Sequence, residues 1–221
     1  MKTEDLIDRL AWDLRPVKRL PSPAVRTLFW IVPLVVGSAF LLLGLGRPDA
    51  LQTLGIKLQR LEILVALATS IVAAFAAFSS GNPGRSLWVA YLPVPLLVIW
   101  ACILMFSLWN NADGGRLDMT QFRPAWSCIF LFVSFALFPM ITLTLMLRRA
   151  APILRDRAVV LGGIASASLA VLMLRLDLFH APNQMPEMFT EHLGGLLMLA
   201  GLTAAMSKWL LPDRLSCPGE Y

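Results

Sequence analysis

The chain has 221 residues, 57% of them hydrophobic and 15% charged, and its mean hydropathy is +0.70. Soluble domains run at about 45–50% apolar and about 25% charged, so the composition excludes an ordinary soluble domain and indicates a polytopic membrane protein. The net charge of +5 is spread over short loops without a compact basic patch, which argues against direct nucleic-acid binding, and three scattered cysteines (Cys102, Cys128, Cys217) exclude a disulfide framework or a CxxC metal knuckle.

The chain opens on MKTEDLIDRLAWDLRPVKRL, which is too polar to enter a bilayer. Thr3 is placed to cap a helix whose first turn carries Glu4 and Asp5, acids suited to the positive end of the helix dipole. Leu6, Leu10, Leu14 and Val17 recur at helical spacing as one apolar stripe, widened by Ile7 and Ala11. Asp8, Arg9, Trp12 and Asp13 lie off it. Pro16 ends regular helix, and Pro21 and Pro23 make a stiff bridge to the first apolar run. Physics leaves two readings open. As a surface helix, the stripe lies on the membrane and the basic tail (Arg15, Lys18, Arg19, Arg26) meets anionic headgroups, although Glu4, Asp5, Asp8 and Asp13 are repelled there. As a docking helix, the stripe enters a groove on a cytoplasmic partner.

Six windows then qualify as membrane spans, at roughly 25–45, 61–78, 87–109, 126–147, 159–178 and 189–211. The first is long enough to be a retained helix rather than a cleaved signal. The second and fifth are rich in Ala, Gly and Ser (ALATSIVAAFAAFSS; LGGIASASLA), which lets backbones approach closely and predicts that these two pack inside the bundle. Pro33, Pro93, Pro95 and Pro139 fall within windows and predict kinks. The sixth window opens with Glu191 and His192, so Leu193 is an alternative start. Glu62 sits at the outer end of the second window, and Arg175 and Asp177 sit near the outer end of the fifth. Arg175 and Asp177 are positioned to pair with each other or with Glu62. Such groups suggest function at membrane depth, with a structural ion pair as the alternative.

With six spans, 13 of the 19 basic residues fall on the side of the N-terminus, among them Arg148, Arg149, Arg155, Arg157 and Lys208. The positive-inside rule therefore places both termini in the cytoplasm. Trp30, Trp88, Trp109, Trp126 and Trp209 lie near window ends, as an interfacial aromatic belt requires. The expected architecture is all-α, a polytopic six-transmembrane-helix bundle with a short cytoplasmic amphipathic N-terminal helix. It divides into a cytoplasmic segment 1–24, a bundle 25–211 and a short cytoplasmic tail 212–221.

Chemistry of other classes has little support. There is no GxSxG, no HExxH, no pair of aspartates at membrane depth and no phosphate-cradling glycine loop, so an enzyme is not expected. A small six-span transporter or channel-like protein is the alternative, although no inverted repeat is visible and few ionisable groups lie mid-span.

The opening MKTEDLIDRLAWDLRPVKRLPSP resembles the N-terminal signature of the NrsF-like integral membrane anti-sigma factors (negative regulator of sigma-F). Further stretches match in order: GRPD after the first span, PGRS between the second and third, SC opening the fourth with FALFP and LRRAAP behind it, and a loop rich in His, Pro and acids before the sixth. The resemblance covers essentially the whole chain. It implies a six-span protein in the bacterial inner membrane that sequesters an extracytoplasmic-function sigma factor, mainly through its N-terminal segment. Oxidative or heavy-metal stress on the periplasmic side would release it. The partners so implied are that sigma factor and the lipid bilayer. Leu6, Leu10 and Leu14 are then the expected anchors, with Asp5, Asp8 and Asp13 setting the register.

The family carries two periplasmic cysteines, one opening the fourth span and one following a histidine in the loop between the fifth and sixth. Cys128 matches the first. At the second, this chain has Ala181 after His180, so a dithiol switch between the two sites is not available. A polar cluster remains: Asp177, His180, Glu187, Glu191 and His192. Glu187 and Glu191 are spaced to share a helix face. Imidazole with carboxylate suits divalent transition metals, and with Cys128 nearby the candidate transient metal ligands are Cys128, His180 and His192. No resident cofactor is expected. The alternatives are a solvated loop of ordinary acids and a Cys128 that is a small packing residue.

Overall fold

A computed structural model describes residues 12, 20–45, 57–80, 86–111, 126–150, 152, 154–175 and 193–211. Among the described residues the fold is entirely helical. The principal helices are α1 (Pro23–Leu45), α2 (Lys57–Ser79), α3 (Pro93–Asn111), α4 (Trp126–Ala150), α5 (Arg155–Arg175), α6 (Gly195–Ala205) and the short α7 (Ser207–Leu210). Five of them, α1 to α5, are long and apolar enough to cross a membrane, consistent with a membrane protein. Contacts between their ends show them running up and down alternately. Arg26 at the start of α1 meets Phe78 at the end of α2 and Met146 near the end of α4, while Glu62 near the start of α2 meets Arg175 at the end of α5.

Helix α5 is the centre of the bundle. It packs most extensively on α2, then on α4 and α6. Buried residues make up 83% of its span and 56% of that of α2, against 22% for α1 and for α3. The small-residue windows are thus the inner helices, as their composition predicts. Gly162 and Gly163 show how. A methyl group on Gly162 would come within 2.7 Å of Leu143 on α4, and one on Gly163 would collide with Thr203 on α6. Adjacent glycines point to different neighbours, so α5 is approached closely from two sides. Its hydroxyls mostly bond within the helix, Ser166 to the Gly162 carbonyl (2.9 Å) and Ser168 to that of Ile164 (2.8 Å). Ser70 on α2 crosses over, donating to the Ala165 carbonyl at 2.9 Å. Without an aqueous phase to drive apolar groups together, such packing and interhelical bonds are what hold membrane helices in register. Helices α1 and α3 turn large apolar side chains such as Phe29, Phe40, Val98 and Phe106 outward.

Three expectations need correction. Pro93 and Pro95 do not kink a helix: residues Leu87–Tyr91 form a 3-10 turn and Pro93 opens α3, where its missing N–H costs nothing. Pro33 and Pro139, in contrast, do lie inside α1 and α4. The sixth window is not one continuous helix. An 11-residue α6 spans only about 16 Å, and a turn at Met206 separates it from α7. The described residues therefore establish five helices of crossing length and do not establish a sixth. Finally, Trp30 is no interfacial belt residue: it is buried, whereas Trp88, Trp109 and Trp209 are exposed near helix ends as a belt requires.

Candidate functional site

The two ends of the bundle each hold an arginine in an unusual setting. At the first end, the Ser22 hydroxyl accepts the Val25 N–H (3.4 Å) and the Ser22 carbonyl accepts the Arg26 N–H (3.1 Å), starting α1. Arg26 then turns inward. Its guanidinium lies 4.4 Å from the centroid of the Phe78 ring on α2, and its Nη2 donates to the Met146 carbonyl on α4 at 2.9 Å. One turn on, the Trp30 indole N–H donates to the Pro139 carbonyl (3.1 Å) and the Thr142 hydroxyl (3.2 Å). Thr142 itself donates to the Pro139 carbonyl at 2.9 Å. The root of the N-terminal segment is thereby fastened to both α2 and α4. In the surface-helix reading Arg26 meets lipid headgroups with the basic tail, whereas the structure buries it over an aromatic ring. The sequence signal for this was that Arg26, Trp30 and Leu34 share one helix face, the face that packs inward.

The same end carries Arg148, whose Nε donates to the Leu210 carbonyl (2.6 Å) and whose Nη2 donates to that of Trp209 (3.3 Å). This joins the end of α4 to α7. The Leu154 N–H reaches the Ser80 carbonyl at 3.4 Å, closing α5 onto α2. Arg149, Arg155, Arg157 and Lys208 lie here too, with Asp156 as the one acid among the described residues of this end. Asp156 is exposed and 3.6 Å from Arg155.

At the opposite end Glu62 and Arg175 form an ion pair, Oε2 to Nη2 at 2.5 Å, with both side chains almost wholly buried. The Trp100 indole N–H on α3 approaches the other carboxylate oxygen at 3.5 Å. Three helices, α2, α3 and α5, meet at one carboxylate. Of the pairings open to Arg175 in the sequence, the one with Glu62 is present; Asp177 lies outside the described residues. Trp100 was not anticipated as a partner. Its position mid-window disguises it as ordinary packing. A buried pair of this kind is held by its geometry, and removing one member leaves an uncompensated charge.

The remaining site candidates are placed only in part. Cys128 is in the first turn of α4, and its side chain lies outside the described residues. His180, Glu187, Glu191 and His192 also lie outside them, as do Asp5, Leu6, Asp8, Leu10, Asp13 and Leu14. Trp12, which the periodicity sets off the apolar stripe, is helical and exposed. Among the described residues no three metal-ligating side chains come together.

Comparison with known proteins returns one family. The family model described as "Negative regulator of sigma F" (NrsF) matches residues 10–212. No curated protein and no solved structure matches the chain.

Proposed function

The chain belongs to the NrsF family of negative regulators of sigma F, and from that premise we propose that it is a membrane-bound anti-sigma factor for a sigma factor of the extracytoplasmic-function class. The family match carries this reading. It begins at residue 10, so Leu10, Leu14 and Val17 fall within the matched residues and Leu6 precedes them. In the proposal, Leu6, Leu10 and Leu14 fill a groove on the sigma factor while Asp5, Asp8 and Asp13 complement its basic surface. A sigma factor held by its polymerase-binding or promoter-reading surface is unable to use it. The end of the bundle bearing Arg148, Arg149, Arg155, Arg157 and Lys208 faces the cytoplasm by the positive-inside rule, in the inner membrane of a bacterium. No catalytic role and no resident cofactor are assigned.

In this reading the periplasmic end receives an oxidative or heavy-metal signal at Cys128 and the segment containing His180, Glu187, Glu191 and His192. Cys128 opens α4, and Arg175 closes α5 just before that segment. The Glu62–Arg175 pair passes displacement of α5 to α2. Helix α2 carries Glu62 near one end and Phe78, under Arg26, at the other. A signal that distinguishes two arrangements of this rod shifts the population of the docking-competent state.

The test is retention of the sigma factor encoded beside this gene by the full-length protein in detergent. Replacing Leu6, Leu10 and Leu14 together by Ser is expected to weaken retention by more than about tenfold, the loss expected when central apolar anchors are removed. Failure of the unaltered protein to retain any such sigma factor defeats the reading. For the input, Cys128→Ser is expected to blunt release under peroxide or cadmium, and an unchanged response removes Cys128 from the mechanism.

A further inference from the structure

Helices α4 and α6 both pack on α5; Phe132 on α4 meets Gly195 at the start of α6, and beyond that contact a groove of about 290 Å³ is left between them. Its walls are mostly apolar, with Ile141 and Leu145 from α4, Leu202 from α6 and Met206 at the turn, and Thr144 and Thr203 are the hydroxyls among them. On α4 the lining begins at Leu137 and ends at Arg148. The eleven steps from the first to the last rise about 16 Å along the helix axis. Half of a hydrocarbon core of about 30 Å is about 15 Å, so the groove is one leaflet deep. It is open along its length, since Leu145, Leu202 and Met206 are all exposed.

Charge distinguishes its two ends. The deep end, at Leu137 and Leu199, is apolar throughout. The shallow end is closed by Arg148, which the Leu210 and Trp209 carbonyl oxygens hold across the mouth at 2.6 and 3.3 Å. Arg149 follows Arg148 in the chain and Lys208 precedes Trp209, and all three of Arg149, Lys208 and Trp209 are exposed. The one described acid of this end, Asp156, lies near Lys208 and lowers the local positive charge without reversing it. A trough one leaflet deep, mostly apolar along its length and cationic at its rim, has the shape and polarity of a single phospholipid.

We propose that the groove between α4 and α6 is a binding site for one anionic phospholipid, with an acyl chain lying between Ile141 and Leu202 and the phosphate at Arg148. The lipid would fill the space that the short α6 leaves, and would tie α4 to α6 where they do not touch directly. The site is independent of the sigma-factor reading. A second copy of this chain and a free phosphate are the other possible occupants, and the experiment separates all three.

The full-length protein in a neutral detergent is titrated with dioleoylphosphatidylglycerol, with dioleoylphosphatidylcholine and with inorganic phosphate. Binding is read by native mass spectrometry and by the shift in thermal unfolding. One phosphatidylglycerol per chain is expected, preferred over phosphatidylcholine, and phosphate alone is expected to do nothing. Arg148→Gln should cut that preference by about fivefold, the contribution of one basic residue at an anionic surface. Leu202→Trp narrows the trough from an exposed position and should weaken both lipids alike. It also tests the groove in a protein whose Arg148 anchor is intact, should Arg148→Gln fail to fold. Equal binding of the two lipids, an unchanged preference in Arg148→Gln, or stabilisation by phosphate alone overturns the proposal. So does a photo-cross-linker at position 202 that captures a second copy of the chain in place of lipid.

Discussion

Arg175 and Arg26 are both buried, at opposite ends of the same bundle, and they are satisfied by different chemistry. Arg175 meets a carboxylate, so its end of the core is electrically neutral. Arg26 meets a π face and a backbone carbonyl, so it keeps its charge while hiding it. A neutral pair belongs well inside low-dielectric surroundings. A solvated or dipole-stabilised cation belongs near the rim, where other cations gather. One end is therefore built as a neutral joint between α2 and α5. The other is built to hold a polar segment at its surface.

The sharpest way to break this contrast is to remove one member of the neutral joint. Glu62→Ala removes the carboxylate that Arg175 meets and is expected to lose about 3–5 kcal/mol of stability, seen as a large drop in unfolding temperature in detergent. The double variant Glu62→Leu with Arg175→Met should recover most of that loss, because an apolar pair needs no compensation. If the single and double variants melt together, the pair is not a joint at all. Arg26→Ala should cost less, about 2 kcal/mol, from the lost cation–π contact and charged hydrogen bond. Its larger effect should fall on the N-terminal segment, measured as faster protease cleavage near residue 20. Trp30→Phe keeps an aromatic ring but deletes the indole N–H together with the pyrrole part of the side chain, so about 1–2 kcal/mol is expected in the same melt. Arg148→Ala, at an exposed position, should change stability by less than about 1 kcal/mol, which separates it from the two buried arginines.

The plan of the core was legible in composition alone. Gly162, Gly163, Ser166 and Ala167 on α5, with the alanines of α2, announce close backbone approach, and these are the two innermost helices. The Glu62–Arg175 pairing was legible only as one of two choices, since Asp177 stood beside Arg175 as the other candidate partner. What composition hides is rotation about each helix axis. In a membrane helix both the lipid-facing and the core-facing sides are apolar, so periodicity gives little sign of which side is which. Trp30 was assigned to an interfacial belt for that reason, and Trp100 drew no assignment at all. Helix starts were also misread where a proline looked like a kink. Pro93 serves as a first residue, and only the preceding 3-10 turn reveals it. The break at Met206 carries no proline, and Gly201 within α6 is a weak signal.

The Glu62–Arg175 pair also bears on biogenesis. Its carboxylate is on α2 and its guanidinium is the last residue of α5, so the ribosome makes one long before the other. At about 5–20 residues per second, the interval is on the order of ten seconds. During that time α2 has an acid near its end and no cation from α5 to meet it. Helix α2 is therefore expected to linger at the insertion machinery, or at the interface, until α5 emerges and draws it inward. The last joint to form would then be the one that completes the core.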